Sequence, residues 1–445
     1  MTGALTPGSV STQQARIANL ARQMPETAIS SLSHHMDQAW LLEALRRTRK
    51  DGATGIDRQT SEEYAANLTE NLRSLEDRAK SGTYRAPAVR RVYIPKGDGK
   101  KTRPLGIPTY EDKVLQRAVM MLLEPIYEQD FYDCSYGFRP GRSAHHALET
   151  LMQGLSEMDG GWVLDVDVQS FFDELDHQKL RDLLRQRVVD GVVVRLIGKW
   201  LQAGVLEGGV VQHTERGTPQ GGVISPLLAN IYLHEVLDKW WMTEVLPRMT
   251  GRAFLVRYAD DFVIVFSEHQ DALRVQDVLA KRFARFGLRL HPEKTRLVAF
   301  RRPPGDDDGP RSGSFDFLGF THYWGRNRRQ GQWNIRRKTA KSRFSRALKR
   351  INQWMRRWRH LPIKDQACVL GSKLRGHFNY YGLPGNSRAI NRFHYEVQCR
   401  WRKWLSRRSQ RARLTWEKFN RLLKYHPLPP ARLPPPRLQY RLANL

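Results

Sequence analysis

"RYADDFVIVF", residues 257–266, sets Asp260 and Asp261 side by side at the head of the apolar run Phe262–Phe266. The run reads as a buried β-strand. Two adjacent carboxylates beside it repel each other and lose solvation on burial, so a positive partner is required. An isolated Asp-Asp pair most often marks a turn. The surrounding chain has to decide between a turn and a site, and residues 252–266 read as a hairpin with the aspartates at its tip.

Upstream, "GWVLDVDVQSFFDELDH" (161–177) alternates Leu164, Val166 and Val168 with Asp165 and Asp167, the period of a strand with one apolar and one acidic face. After the hairpin, Ser267–Gln270 reads as a capping box opening a helix. Val275, Val278, Leu279, Phe283 and Phe286 share one face of that helix, and Gly287 ends it. A strand near 294–300 completes the order strand–helix–hairpin–helix–strand, a split βαβ sheet. In such a sheet the first strand and the hairpin are neighbours, so Asp167, Asp260 and Asp261 converge. Clustered oxygen donors without His or Cys suit Mg²⁺, and two such ions about 4 Å apart serve in-line phosphoryl displacement. Asp165 shares the acidic face, whereas Asp173 and Asp176 read as caps of the helix that follows. His145, His146 and His177 have no convincing ligand partners in the sequence and read as structural.

Around this centre, "RRVYIPKGDGKKTRPLGIP" (90–108) reads as a hairpin with short strands at Val92–Ile94 and Leu105–Ile107 and a turn at Gly97–Gly99. A helix follows over 111–129, and residues 223–238 look helical. Residues 1–35 lack strong periodicity and are expected to form a loose leader; 36–80 are helical, broken at 50–57. A short hairpin element is expected over 311–320, and a helical, basic region beyond it. There Phe344, Leu348, Ile351, Met355 and Trp358 form an apolar seam. "LPGNSR" (383–388) separates later helices, and 426–436 is a proline-rich tail.

At 445 residues, 40% of them apolar, the chain exceeds one core. No apolar run is long enough to span a bilayer and the first residues lack a signal-peptide core, so a soluble cytoplasmic protein is expected. Cys134, Cys368 and Cys399 offer no close pairing for a disulfide framework or a cysteine zinc site. Charge is the strongest bulk signal. Residues 321–445 hold 32 Lys and Arg against 3 Asp and Glu, and seven of the 12 Trp; the first 320 residues balance at 42 against 42. Basic residues interleaved with aromatics suit a phosphate backbone and unstacked bases.

The ordered blocks "IPKGDGKKTRPLGIP", "YGFRPGRS" (136–143), "DVQSFFD" (167–173), "GTPQGGVISPLLANIYL" (217–233), "RYADDFVIV", "GLRLHPEKT" (287–295) and "FLGF" (317–320) together resemble the reverse transcriptases of group II introns. The resemblance covers roughly residues 50 to 325. "LRGHFNYYG" (374–382) looks like that family's maturase, or thumb, region, and 414–433 like its short DNA-binding segment. The resemblance implies that Asp167, Asp260 and Asp261 hold two catalytic Mg²⁺ ions. It places Lys96 and Arg103 on the incoming triphosphate, Phe172 against its sugar and Gln220 at the template and nucleotide. Taken alone, Lys96 and Arg103 read as ordinary surface charges, Phe172 equally well as a core residue, and the Gly-rich stretch as a loop before a helix. Lys294 matches a lysine near the family's active site, with a surface role equally open.

The expectation is therefore an α+β right-hand polymerase: leader 1–35, fingers and palm 36–325, helical thumb 326–408 and a DNA-binding segment 409–445. The implied activity is RNA-directed DNA synthesis with dNTPs. Intron RNA, a DNA target and a primer are the implied partners, with maturase function and target-primed intron mobility. A C-terminal nuclease domain, common in the family, is not expected. The alternatives are a domesticated relative acting in DNA repair or phage defence, or an RNA-binding splicing factor with little polymerase activity. The intact acidic triplet weighs against the splicing factor.

Overall fold

A computed structural model describes residues 8–96, 101–207, 210–212, 217, 221–303, 312–326, 331–409 and 413–432. The chain divides into two compact units, Met1–Gly154 with Gly161–Leu297, and Leu155–Gly160 with Val298–Leu445. The division falls at 297/298 rather than near 325, so the 315–326 hairpin belongs to the second unit.

The first unit begins with α1 (Gly8–Gln23), α2 (Gln38–Arg47), α3 (Ser61–Ala66) and α4 (Leu68–Ser81), and α5 (Tyr110–Asp130) runs through its core. The expected loose leader is a correction: from residue 8 onward it is structured. Helix α1 buries Val10, Ile17 and Ala21, and the Gln14 amide donates to the Met121 carbonyl of α5 at 3.0 Å. Ile29 exchanges backbone bonds with Arg187 and Val189, and Asp190 accepts from the Leu32 and Ser33 amides. A long-range partner, not helical periodicity, decides this burial.

Strands β1 (Val89–Lys96) and β2 (Lys101–Ile107) pair antiparallel with Ile94 opposite Arg103. They extend beyond the expected short strands, and the expected turn at 97–99 lies outside the described residues. Helix α6 (Ala144–Glu157) precedes β3 (Gly160–Gln169), which is followed by α7 (Phe171–Glu174), α8 (His177–Arg185) and α9 (Gly191–Gln202). Asp176 caps α8 through the amides of Gln178 and Lys179, as its position before that helix suggests. Short strands β4 (Val205–Glu207) and β5 (Val210–Gln212) extend the first sheet to the order β2-β1-β4-β5.

Helix α10 (Ser225–Leu233) leads to β6 (Ala253–Tyr258), β7 (Asp261–Phe266), α11 (His269–Arg285) and β8 (Arg289–Leu290). The central sheet runs β6-β7-β3-β8, with its apolar residues Leu164, Val166, Phe262 and Ile264 in the core. Two details of α11 differ from expectation. Its N-cap is Glu268 with no side-chain cap bond, and the Ser267 amide donates to the Arg252 carbonyl instead of joining a capping box. Val278 is exposed, and the buried face is Ala272, Val275, Leu279 and Phe283.

The tip of the β6–β7 hairpin is held from below. Arg257 and Asp238 are both fully buried and form an ion pair, with Arg257 Nε on Asp238 Oδ1 at 2.7 Å. Arg257 Nη1 also donates to Asn230 Oδ1 at 3.0 Å and to the Ala259 carbonyl at 3.1 Å. Asp238 reaches inward from a π-type turn, His234–Asp238, that continues α10. Ala259 has φ +56°, a left-handed conformation that costs a non-glycine residue about 1–2 kcal/mol. Gly137 of "YGFRPGRS" packs beneath it so closely that a Cβ there would lie 2.3 Å from the Ala259 nitrogen. The Gly137 carbonyl accepts from Asn230 Nδ2 at 2.7 Å. The strained turn is thus overdetermined by its surroundings.

In the second unit, β9 (Arg296–Arg301) crosses the division, and β10 (Phe315–Phe317), β11 (Phe320–Arg326) and β12 (Trp333–Thr339) form an antiparallel sheet. The two-residue Leu318–Gly319 connection needs positive φ at both positions, +47° and +82°. The region from 326 is therefore not helical throughout: β12 precedes α12 (Lys341–Arg357), α13 (Ile363–Tyr381), α14 (Ser387–Leu405) and α15 (Trp416–Tyr425). Leu348, Ile351 and Met355 form the expected seam, but Trp358 caps the end of α12 and is exposed. The separate segment expected from 409 is also corrected over its described part. Phe419 and Leu428 are buried in the same cluster as Leu374, Phe393, Val397 and Trp401. One apolar face on α15 suffices to dock it.

Phe419, with no exposed surface, meets the Trp401 ring edge-on at 5.6 Å. Phe419→Ala is expected to destabilise the second unit by about 3–5 kcal/mol in urea unfolding. A second test addresses the hairpin tip. Asp238→Ala leaves Arg257 buried without its counter-charge and is expected to cost about 3–5 kcal/mol, whereas Arg257→Met with Asp238→Leu restores most of the loss.

Candidate active site

The register of β3 against β7 sets Asp167 directly opposite Asp261 and Asp165 opposite Val263. Side chains of opposed residues project from the same face of a sheet, and like charges so placed destabilise it. Asp260 is the second residue of the Ala259–Asp260 turn, half-buried beside exposed Asp261. The sheet therefore brings Asp167 and Asp261 together, with Asp260 adjoining them.

Part of the missing positive charge comes from the chain itself. Lys294 Nζ lies 2.7 Å from Asp167 Oδ2, and the Arg296 guanidinium 3.3 Å from Asp165 Oδ2. Strand β8 pairs with the end of β3, and the His291 amide donates to the Asp167 carbonyl at 2.8 Å. The tight turn of "HPEKT" then carries Lys294 back over the acidic face. The donor set is all oxygen and suits a hard divalent cation, and Asp167 already receives a cationic group. Among the described residues, no three His, Cys, Asp or Glu side chains close into one metal-holding group.

Directly after β3, Ser170 takes a left-handed φ of +43° and turns the chain into α7. Phe171 is buried, and half-buried Phe172 packs against its ring at 5.2 Å. Gly217 (φ +88°) lies on this turn: a Cβ would meet the Asp173 carbonyl at 2.8 Å and that of Phe172 at 3.0 Å. At the far end of the same Gly-rich segment, a Cβ on Gly221 (φ +123°) would meet the Gly106 carbonyl of β2 at 2.6 Å. Gly217 thus abuts the backbone of Phe172 and Gly221 that of β2, and at both positions only a residue without a side chain permits the approach.

Its exit is anchored by Gln116, which accepts from the Val223 amide at 2.8 Å and donates to Asp112 at 3.1 Å. Burial pushes the Asp112 carboxyl up to about 6, against the bonds it receives from Tyr84 and Trp200. Gln220 lies outside the described residues, as does the Lys96 side chain at the end of β1. Arg103 is exposed on β2, two positions along from the pair opposite Lys101, and stands on a different sheet from the aspartates.

The sequence reading assigned nothing to Arg257, Asp238, Asn230, Gly137 or the Asp112–Gln116 pair. An arginine inside the apolar strand "AFLVRY" was the one available signal, since a buried arginine needs an acid elsewhere in the chain.

Residues 94–322 match the family model described as reverse transcriptase (RNA-dependent DNA polymerase). Among curated proteins, the chain is 36% identical over 347 residues to Protein YkfC of Escherichia coli (strain K12), covering 70% of this chain and 87% of that protein. It is 48% identical over 172 residues to the group II intron-encoded protein LtrA of Lactococcus lactis subsp. cremoris, covering 38% of this chain and 28% of LtrA. Nuclear intron maturase 2, mitochondrial, of Arabidopsis thaliana is 28% identical over 174 residues, covering 31% of this chain and 24% of that protein. The opposed aspartates and the Gly-rich segment lie within the matched residues, and the chain belongs to the reverse transcriptase (RNA-dependent DNA polymerase) family.

Proposed function

We propose that this reverse transcriptase copies RNA into DNA at Asp167, Asp260 and Asp261, and that it also binds intron RNA as a splicing maturase. The observation that carries the first half is the cross-strand opposition of Asp167 and Asp261 at a hairpin tip whose turn is braced by Arg257 and Gly137. In this reading the first unit supplies fingers and palm, and the second supplies the thumb. The primer 3′-hydroxyl attacks the α-phosphate of a deoxynucleotide, and pyrophosphate leaves. The three aspartates would hold two Mg²⁺ ions, which when bound neutralise charge on the phosphate and lower the pKa of the hydroxyl. Lys96 and Arg103 bind the triphosphate, Phe172 bounds the sugar pocket, and Gln220 contributes to nucleotide and template binding.

The maturase half rests on the basic 321–445 region and on relatives whose names record intron coding and intron maturation. A phosphate-rich partner matches 32 basic against 3 acidic residues. A DNA target and primer for intron mobility belong to the same proposal. No helix among the described residues is long and apolar enough to cross a membrane.

Asp260→Asn tests the metal role. Primer extension on an RNA template should fall roughly a thousand-fold, the several kcal/mol a metal supplies at a phosphoryl oxygen. RNA affinity in the absence of dNTP should stay within about two-fold, since the carboxylate contacts no phosphate directly. Substantial extension by this variant would remove the assignment. Phe172→Val tests the sugar role. It should raise incorporation of ribonucleotides relative to deoxynucleotides at least about ten-fold, the scale of a steric contact worth 1–3 kcal/mol. Slower synthesis with unchanged sugar preference would make Phe172 a packing residue only.

A further inference from the structure

Tryptophan and tyrosine rings are usually covered where a fold can cover them, because each buries a large apolar area. In the second unit two are left open beside each other. Tyr395 on α14 is 58% exposed and Trp416 at the start of α15 is 38% exposed. Their planes lie within 8° of parallel, with centroids 6.3 Å apart. The pair is held rather than loose. Arg402 sits over the Trp416 ring at 4.3 Å and donates to the Leu414 carbonyl at 3.0 Å, and the Trp416 edge rests on buried Phe419. Thr415 caps α15 through the Lys418 amide, which fixes where Trp416 leaves the loop.

The charge around the rings is predominantly positive. Helix α14 turns its apolar face, Ile390, Phe393, Val397 and Trp401, into the core. Arg388, Tyr395 and Arg402 follow one another at seven-residue intervals, two helical turns or about 10.5 Å each, on another face. Arg388 and Arg392 are exposed, as are Lys418, Arg421 and Lys424 on α15. The two nearby acids are already engaged: Glu396 with Arg400 and Glu417 with Arg421. Rigid, open, parallel rings between cations match a base stacked on a ring with its phosphates alongside.

We propose that Tyr395 and Trp416 form a stacking platform for an unpaired nucleobase of a single-stranded polynucleotide, with Arg388 and Arg392 taking the flanking phosphates. It rests on a polynucleotide being the partner, as argued above, and adds to it a residue-level site within the second unit.

The test is a fluorescence titration of the full-length protein with single-stranded RNA and DNA oligonucleotides carrying 2-aminopurine, beside a duplex of the same length. Tyr395→Ala, an exposed position, should weaken single-strand binding about five- to hundred-fold, the range measured for one base–aromatic stack. It should leave duplex affinity unchanged. The slope of log affinity against log salt should not move, because no phosphate contact is lost. Tyr395→Trp should restore binding. Arg388→Gln with Arg392→Gln should do the reverse, flattening the slope by roughly 0.7 per lost phosphate contact on single strands. Loss with either RNA or DNA supports the platform and names its strand. Equal loss on the duplex, or no loss on any single strand by a protein that still binds them, overturns it. Failure of the unaltered protein to bind any polynucleotide would instead overturn the functional proposal beneath it.

Discussion

The buried Arg257–Asp238 pair is the interaction on which the acidic hairpin depends. A guanidinium with no exposed surface is tolerable only if its charge and its donors are satisfied. Here the carboxylate of Asp238, the Asn230 amide oxygen and the Ala259 carbonyl accept from it. The backbone of the same residue pairs with Cys134 and Tyr136, so the "YGFRPGRS" segment is stitched to the hairpin at the point where the turn begins. One side chain thereby links α10, the hairpin and the glycine brace. The acidic tip inherits its geometry from a cation that never meets solvent.

Around that anchor, the first unit arranges charge by strand register. Opposing Asp167 with Asp261 is unfavourable in itself; Lys294 offsets it from the turn after β8, and Arg296 at the start of β9 pairs with neighbouring Asp165. The chain carries these cations within the same unit that carries the acids. Ser170, directly after β3, and Ala259, directly after β6, are non-glycine residues at positive φ. Such strain persists where neighbouring packing leaves no alternative.

The second unit follows a different rule. Its helices bury a single apolar cluster that extends from α12 through Phe419 to Leu428, and they present arginine and lysine outward. The basic tail is consequently not an appendage over 413–432. Removing it would open the core around Trp401 as well as take away charge. Stability and nucleic-acid affinity are therefore entangled in this part of the chain, and separating them requires substitutions on the exposed face of α15 rather than truncation.

Local pattern carried much of this protein. The two-residue alternation of 163–168, the paired aspartates in an apolar hairpin and the helical seam of 344–355 were readable because strand and helix periods act over neighbouring residues. Seven ordered motifs carried the family. The charge asymmetry was visible by counting. The tertiary structure alone decided what depends on distant partners. Helix α1 is buried because α5 lies beside it, not because its own pattern demands it. Val278 and Trp358 fall outside seams that extrapolation would extend to them, since packing stops where the neighbouring element does. Arg257 meets Asp238 across nineteen residues and a π-type turn, Gly137 approaches Ala259 across more than a hundred, and Lys294 reaches Asp167 across 127. No local period encodes such pairings; they exist only once the sheet has set its register and the core has closed.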